Sequence, residues 1–207
     1  MRILIATDAW RPQVNGVVRT YEKIAPEIEA LGHELEFLTA EGFRTIPMPS
    51  YPEIRLAFIL PRHVRERVEA FAPDHVHVAT EGPIGLAARR WCRLNRHSFT
   101  TSYHTRFPEY LSARIPVPLS WGYAYERWFH GPASGVMVAT ASLEEDLRKH
   151  GITKLMRWSR GVETDVFYPR KIRLFGAEKP VFLYVCLLYT SDAADDLLCV
   201  DLGGRRI

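Results

Sequence analysis

Short apolar runs of strand length alternate with segments of helical periodicity along most of the chain, and this rhythm restricts the fold more than any other feature. Arg2–Asp8, Leu35–Thr39, Asp74–Thr80, His97–Tyr103, Gly135–Thr140 and Thr153–Trp158 read as strands. Helices are expected over Val17–Leu31, Arg62–Phe71 and Gly82–Leu94, and through a long aromatic stretch containing Trp121, Tyr123, Tyr125, Trp128 and Phe129. Pro26 removes one backbone donor from the first helix, where a kink is expected, and Gly32 stands where a helix-ending residue is needed. Phe43–Ile59, punctuated by prolines, holds one or two short strands. Ser142 is the expected cap of a helix, with Glu145 completing a capping box. The alternation implies an α/β fold: a doubly wound, mostly parallel, Rossmann-like sheet with helices on both faces.

Composition fits that fold and removes other classes. Of 207 residues, 47% are hydrophobic and 25% charged, enough to bury a sizeable core. The longest apolar run, Val181–Tyr189, is about half the roughly 20 residues that span a bilayer. Met-Arg leads at once into Ile3-Leu4-Ile5-Ala6, which is too short for a signal peptide and reads as a buried strand. Three cysteines without paired spacing point to a reducing compartment, hence a cytoplasmic location.

The net charge is +3, with cations clustered at Arg62, Arg65 and Arg67 and at Arg89, Arg90, Arg93 and Arg96. These read as two solvated helix faces or as a basic surface on anionic lipid, which would put the protein peripherally on the inner face of the cell membrane. No aromatic-interleaved basic motif for nucleic acid accompanies them.

In an open doubly wound sheet, ligands bind beyond the carboxyl ends of the strands. Three polar clusters fall there: Asn15-Gly16-Val17 after the first strand, Glu81-Gly82-Pro83 after the Asp74–Thr80 strand, and Tyr103-His104-Thr105-Arg106 after the next. Singly, each has a plain structural reading: a tight turn at Gly16, a helix-capping carboxylate at Glu81, a core histidine at His104. Their recurrence at successive strand ends favours one functional cleft. The first turn holds one glycine rather than a dinucleotide fingerprint, and no phosphate-loop lysine follows. His75 and His77 share a strand face, but without a third ligand they read as packing, so no metal site is expected. Cys92, on a helix among arginines, reads as structural.

On these residues the chain resembles the glycosyltransferase family 4 group of GT-B enzymes. The matching stretches are Arg2–Val18, Ala79–Pro83, Thr101–Pro108 and Arg157–Pro169, in the family's order. The nearest flavour is the lipid-directed branch that builds mannosyl-, glucosyl- or sulfoquinovosyl-diacylglycerols. The resemblance implies two Rossmann-like domains, the N-terminal one (1–169) on the acceptor side and the C-terminal one gripping the nucleotide-sugar. It implies that Asn15, Gly16 and Val17 meet the donor diphosphate and that His104 is catalytic, near the reacting carbon. Glu81, Tyr103, Thr105 and Arg106 would line the acceptor cleft. Ser159, Arg160, Gly161 and Glu163 would form the interdomain hinge, although aspartate is commoner at the position of Glu163.

The implied reaction is retaining transfer from a UDP- or GDP-linked sugar to a lipid or glycan acceptor, with no cofactor and no metal requirement. Residues 170–185 would be a linker and the first strand of a donor domain that is otherwise absent, so the fragment is expected to be inactive. Residues 186–207 resemble sequencing-adapter read-through; without their four aspartates and two arginines the net charge rises from +3 to +5. The alternative is a stand-alone module binding a glycolipid or phosphate headgroup without catalysis. A third class, a sugar-nucleotide epimerase of the same architecture, is disfavoured by the Tyr103-His104-Thr105 cluster and the arginine-rich helices.

Overall fold

A computed structural model describes residues 1–48, 51–113, 115–159 and 161–170. The chain divides into two compact units, Met1–Gly161 and Val162–Ile207. The first holds a six-stranded parallel sheet in the order β2-β1-β5-β6-β7-β8. Its strands are β1 (Arg2–Ala6), β2 (Glu34–Leu38), β5 (His75–Val78), β6 (Phe99–Ser102), β7 (Gly135–Val138) and β8 (Leu155–Arg157). An antiparallel hairpin, β3 (Thr45–Met48) with β4 (Tyr51–Ala57), is inserted after β2. The helices are α1 (Gly16–Ala30), α2 (Pro61–Phe71), α3 (Pro83–Leu94), α4 (Phe107–Ser112), α5 (Leu119–His130) and α6 (Ala141–Lys149). None of the described helices is long and apolar enough to cross a membrane.

The sheet is covered on both faces, which explains why its strands read as nearly continuous apolar runs. Because side chains alternate along a strand, Leu4, Ala6, Val76 and Val78 pack with Val64 and Val68 of α2 and Ile84, Ala88 and Cys92 of α3. Ile3 and Ile5 face the other way, against Val17, Tyr21 and Ile24 of α1. Gly32 ends the α1 region at φ +82°, a left-handed conformation that costs glycine little.

Trp121, Tyr123, Tyr125, Trp128 and Phe129 lie together on α5, and Pro116 and Pro118 separate it from the short α4 before it. Three local expectations change. The cap of α6 is Thr140 rather than Ser142: Thr140 is extended, and its Oγ1 accepts from the Leu143 amide at 3.2 Å. Glu145 completes no capping box and instead pairs with Lys149 at 3.2 Å. Arg89 leaves the basic surface altogether, being 4% exposed, with Nε donating to the Phe129 carbonyl at 2.8 Å. The expected donor-domain strand and terminal tail, 170–185 and 186–207, lie outside the described residues apart from Arg170.

β1 neighbours β2 on one side and β5 on the other, so the chain reverses its direction of travel across the sheet at β1. That switch point fixes where ligands go. The adjoining turn into α3 is tight: a methyl group at Gly85 would overlap the Thr80 carbonyl, and one at Gly82 would strike the Asp8 carboxylate. Gly85→Ala is expected to destabilise the domain by at least about 2 kcal/mol in urea unfolding, because backbone is what it meets. An unchanged midpoint would show that the turn relaxes.

Candidate functional site

At the switch point the Asp8 carboxylate bridges three elements. Oδ1 accepts from the Ile84 amide at 2.8 Å, and Oδ2 accepts from the Gly85 amide at 3.2 Å and the Thr80 hydroxyl at 2.8 Å. The Asp8 amide donates back to Thr80 Oγ1 at 2.7 Å. Asp8 therefore occupies the amino end of α3, where two otherwise unpaired amides and the helix dipole favour an anion. Burial raises its pKa above the ordinary carboxylate value, against the pull of the Ile84, Thr80 and Gly85 hydrogen bonds.

The amino end of α1 is closed differently. Asn15 Oδ1 accepts from both Val17 and Val18 amides at 3.0 Å. Those two donors are committed to the protein's own cap, which leaves the exposed Gly16 as the place where backbone and an anionic ligand could meet.

His104 follows β6 and is half-buried. Its Nε2 lies 3.1 Å from the hydroxyl of Tyr21, a fully buried α1 residue. The same hydroxyl lies 2.9 Å from His77 Nε2 and 3.4 Å from Ser102 Oγ. His77 continues the chain inward, with Nε2 at 2.9 Å from Ser102 Oγ and Nδ1 at 2.8 Å from Thr100 Oγ1. Thr100 Oγ1 in turn meets His75 Nε2 at 2.9 Å. The two strand histidines read as packing are therefore links of a hydrogen-bonded chain that ends on His104. Tyr21 also meets the His104 ring edge-on, with centroids 5.8 Å apart.

The remaining sequence candidates are spread around this centre. Glu81 is half-exposed, and its Oε1 is 3.5 Å from His130 Nε2. Tyr103 is 2% exposed and is packed inside, beside His130, rather than on a cleft wall. Thr105 is exposed, and its carbonyl accepts from the Phe107 amide. Arg106 is engaged by Asp146 at 2.8 Å and Glu109 at 3.6 Å. Of the expected hinge, Ser159 and Gly161 are exposed, Arg160 lies outside the described residues, and the Glu163 carbonyl accepts from Val166 and Phe167 in a turn of the second unit.

Three residues that the sequence reading passed over belong to the site: Tyr21, Glu126 and His130. Glu126 and His130 stand one turn apart on α5, both 0% exposed, with His130 Nε2 at 3.0 Å from Glu126 Oε2. Burial would lower the His130 pKa, but hydrogen bonds and charge from Glu126 and Glu81 prevail and push it up to about 9. Beside Asp8, a cavity of about 220 Å³ opens between the loop after β1 and the hairpin, lined by Trp10, Arg11, Gln13, Phe43 and Arg55.

A parallel doubly wound sheet with a carboxylate-capped helix and an anchored histidine at one rim defines a Rossmann-like domain. The chain belongs to Glycosyltransferase Family 4, whose family model matches residues 14–166. It is 26% identical over 187 residues to a GDP-mannose-dependent alpha-mannosyltransferase of Mycobacterium tuberculosis, covering 82% of this chain and 50% of that protein. It is 27% identical over 124 residues to an alpha-monoglucosyldiacylglycerol synthase of Streptococcus pneumoniae, covering 54% of this chain and 28% of that one. The chain thus spans about half the length, or less, of these curated relatives. Sucrose-phosphate synthase from Thermosynechococcus elongatus shares the fold, with a TM-score of 0.56 at 14% identity over 82% of this chain and 50% of that one.

His77 supplies a pH test of the site. Burial, then the neighbouring His104 and His75, lower its pKa to about 3 from an ordinary 6.5. A histidine kept neutral in the folded state contributes stability above pH 6.5 that is lost as the pH falls toward 3. Between pH 7 and pH 4.5, urea unfolding is expected to show about 2 kcal/mol of loss that His77→Gln removes. An identical acid slope in the variant would assign the loss elsewhere.

Proposed function

We propose that this chain forms the acceptor-side half of a retaining glycosyltransferase that moves a sugar from a UDP- or GDP-linked donor to a lipid or membrane-proximal acceptor. The observation that carries the reading is the anchoring of His104 by Tyr21 at the same rim as Gly16. A histidine ring held from behind presents a fixed face to a sugar, and geometry of this kind is what catalysis by positioning requires. His104 contacts the transferred sugar close to the reacting carbon, and the Gly16 backbone approaches the donor diphosphate.

Loss of the nucleoside diphosphate is helped by positive charge and helix-end amides that stabilise its developing negative charge. The acceptor hydroxyl then arrives on the same face, and none of these steps requires a metal. The cavity beside Asp8 suits an acceptor headgroup, since Arg11, Gln13 and Arg55 offer donors and Trp10 an apolar wall stacked on Phe37. The names of the relatives, a GDP-mannose-dependent alpha-mannosyltransferase and an alpha-monoglucosyldiacylglycerol synthase, support a hexose and a lipid.

The full-length protein carrying this domain is expected to pass label from GDP-mannose or UDP-glucose into a lipid-extractable product. His104→Ala should lower that rate at least about 100-fold while the far-ultraviolet spectrum is retained. Absence of lipid-linked product from either donor would sink the reading.

Arg62 and Arg65 on α2, and Arg90, Arg93 and Arg96 on and after α3, are exposed and support a cytoplasmic protein resting on an anionic bilayer. Co-sedimentation is expected with anionic but not neutral vesicles and should weaken as salt rises. Equal binding to both vesicle types would remove the electrostatic account.

A further inference from the structure

Glu126 and His130, four residues apart, project from the same face of α5. Glu81 reaches them from the turn between β5 and α3, and one ligand atom from each of the three lies within 4.8 Å of the others. The ring of His130 is already oriented, because Nδ1 sits 2.8 Å from Thr101 Oγ1 and Nε2 therefore faces the carboxylates. A histidine with one nitrogen fixed by a hydrogen bond and the other aimed at carboxylates is the usual arrangement of a metal-ligating imidazole.

Two buried oxygens at this place have no hydrogen-bond partner among the described residues: Glu126 Oε1 and the hydroxyl of Tyr103. The Tyr103 hydroxyl lies within the field of Glu126, Glu109 and Glu81, which after burial are among the causes that raise its pKa. A carboxylate oxygen left unpaired inside a protein costs the full desolvation of that group. An imidazolium between two carboxylates leaves one net negative charge buried and Glu126 Oε1 still unpaired. A dication with a neutral imidazole brings the three side chains and the ion to zero charge, and if Glu126 chelates it through both oxygens, Oε1 gains a partner as well.

Both separations from His130 fit. Ligand atoms about 2 Å from a tetrahedral ion stand roughly 3.3 Å apart. Here His130 Nε2 is 3.0 Å from Glu126 Oε2 and 3.5 Å from Glu81 Oε1. We propose that Glu81, Glu126 and His130 form a structural site for a divalent transition-metal ion, with zinc the best match, Tyr103 or water completing the coordination. Imidazole with two carboxylates suits zinc, whereas magnesium and calcium take six or more ligands, all oxygen. The ion ties α5 to the turn that carries Glu81, and its binding is read out without any sugar transfer.

The test is calorimetric titration of the chelator-treated chain with zinc, alongside Glu126→Gln and Glu81→Gln, and cobalt(II) substitution followed by absorbance. One equivalent of zinc is expected to bind, to raise Tm by at least about 4 °C when saturating, and to bind at least tenfold more weakly to each variant. The cobalt form should show visible ligand-field bands without a thiolate charge-transfer band, since the chain's three cysteines are not the ligands. No saturable binding, binding unchanged in both variants, or a thiolate band would overturn the site. If Glu126→Gln fails to fold, Glu81→Gln, which alters a half-exposed side chain, decides alone.

Discussion

The Asp8 carboxylate is the interaction on which the rest of the rim depends. Three donors converge on it, from Thr80 at the end of β5 and from the Ile84 and Gly85 amides that open α3. It joins the ends of β1 and β5, the two strands between which the sheet reverses its winding, to the start of the helix that follows. A carboxylate can do this because the helix end offers unpaired amides and partial positive charge that are costly to bury without an acceptor. Gly82 and Gly85 then admit the close approach that any side chain would block. With α3 drawn in this far, Glu81 has little choice of position, and its carboxylate is delivered to His130.

Behind this anchor the two faces of the sheet carry opposite kinds of buried polar chemistry. On the α1 face, His77, Tyr21, Ser102 and Thr100 form a chain of neutral donors and acceptors that ends on His104. Toward α5, Glu81, Glu126 and His130 form a charged cluster. Burial alone would keep both histidines neutral. His77 meets only hydroxyls and other histidines and its pKa falls, while His130 meets carboxylates and its pKa rises. Partners, not depth, decide the charge state.

Much of the fold was legible because parallel strands buried on both faces are short, continuous and apolar, and Ile3-Leu4-Ile5-Ala6 or Val136-Met137-Val138 admit few other readings. The failures were local competitions. Thr140 and Ser142 are both capping types, and only backbone geometry chose Thr140. Arg89 looked like one cation of a basic face, but the carbonyls that receive it come from α5, forty residues away. The site divides in the same manner. Glu81 and His104 stand at strand ends, where the sheet rule looks for them. Tyr21 and His130 sit on helices, where an aromatic or a histidine on the inner face looks like ordinary packing. Tyr21 meets partners 56 and 83 residues along the chain, a distance across which periodicity carries no signal.

Those long-range bonds also say why the histidine at the rim is held by a tyrosine. A ring fixed by one nitrogen is useful only if its support does not move, and long flexible side chains lose several rotatable bonds when ordered. Tyr21 is rigid beyond two torsions, is buried in the apolar cluster of Ile5 and Ala79, and has its hydroxyl pinned by His77 and Ser102. The His104 ring thus inherits the rigidity of β5 and β6 although it belongs to the loop beyond them. The sheet fixes the site through side chains as well as through backbone.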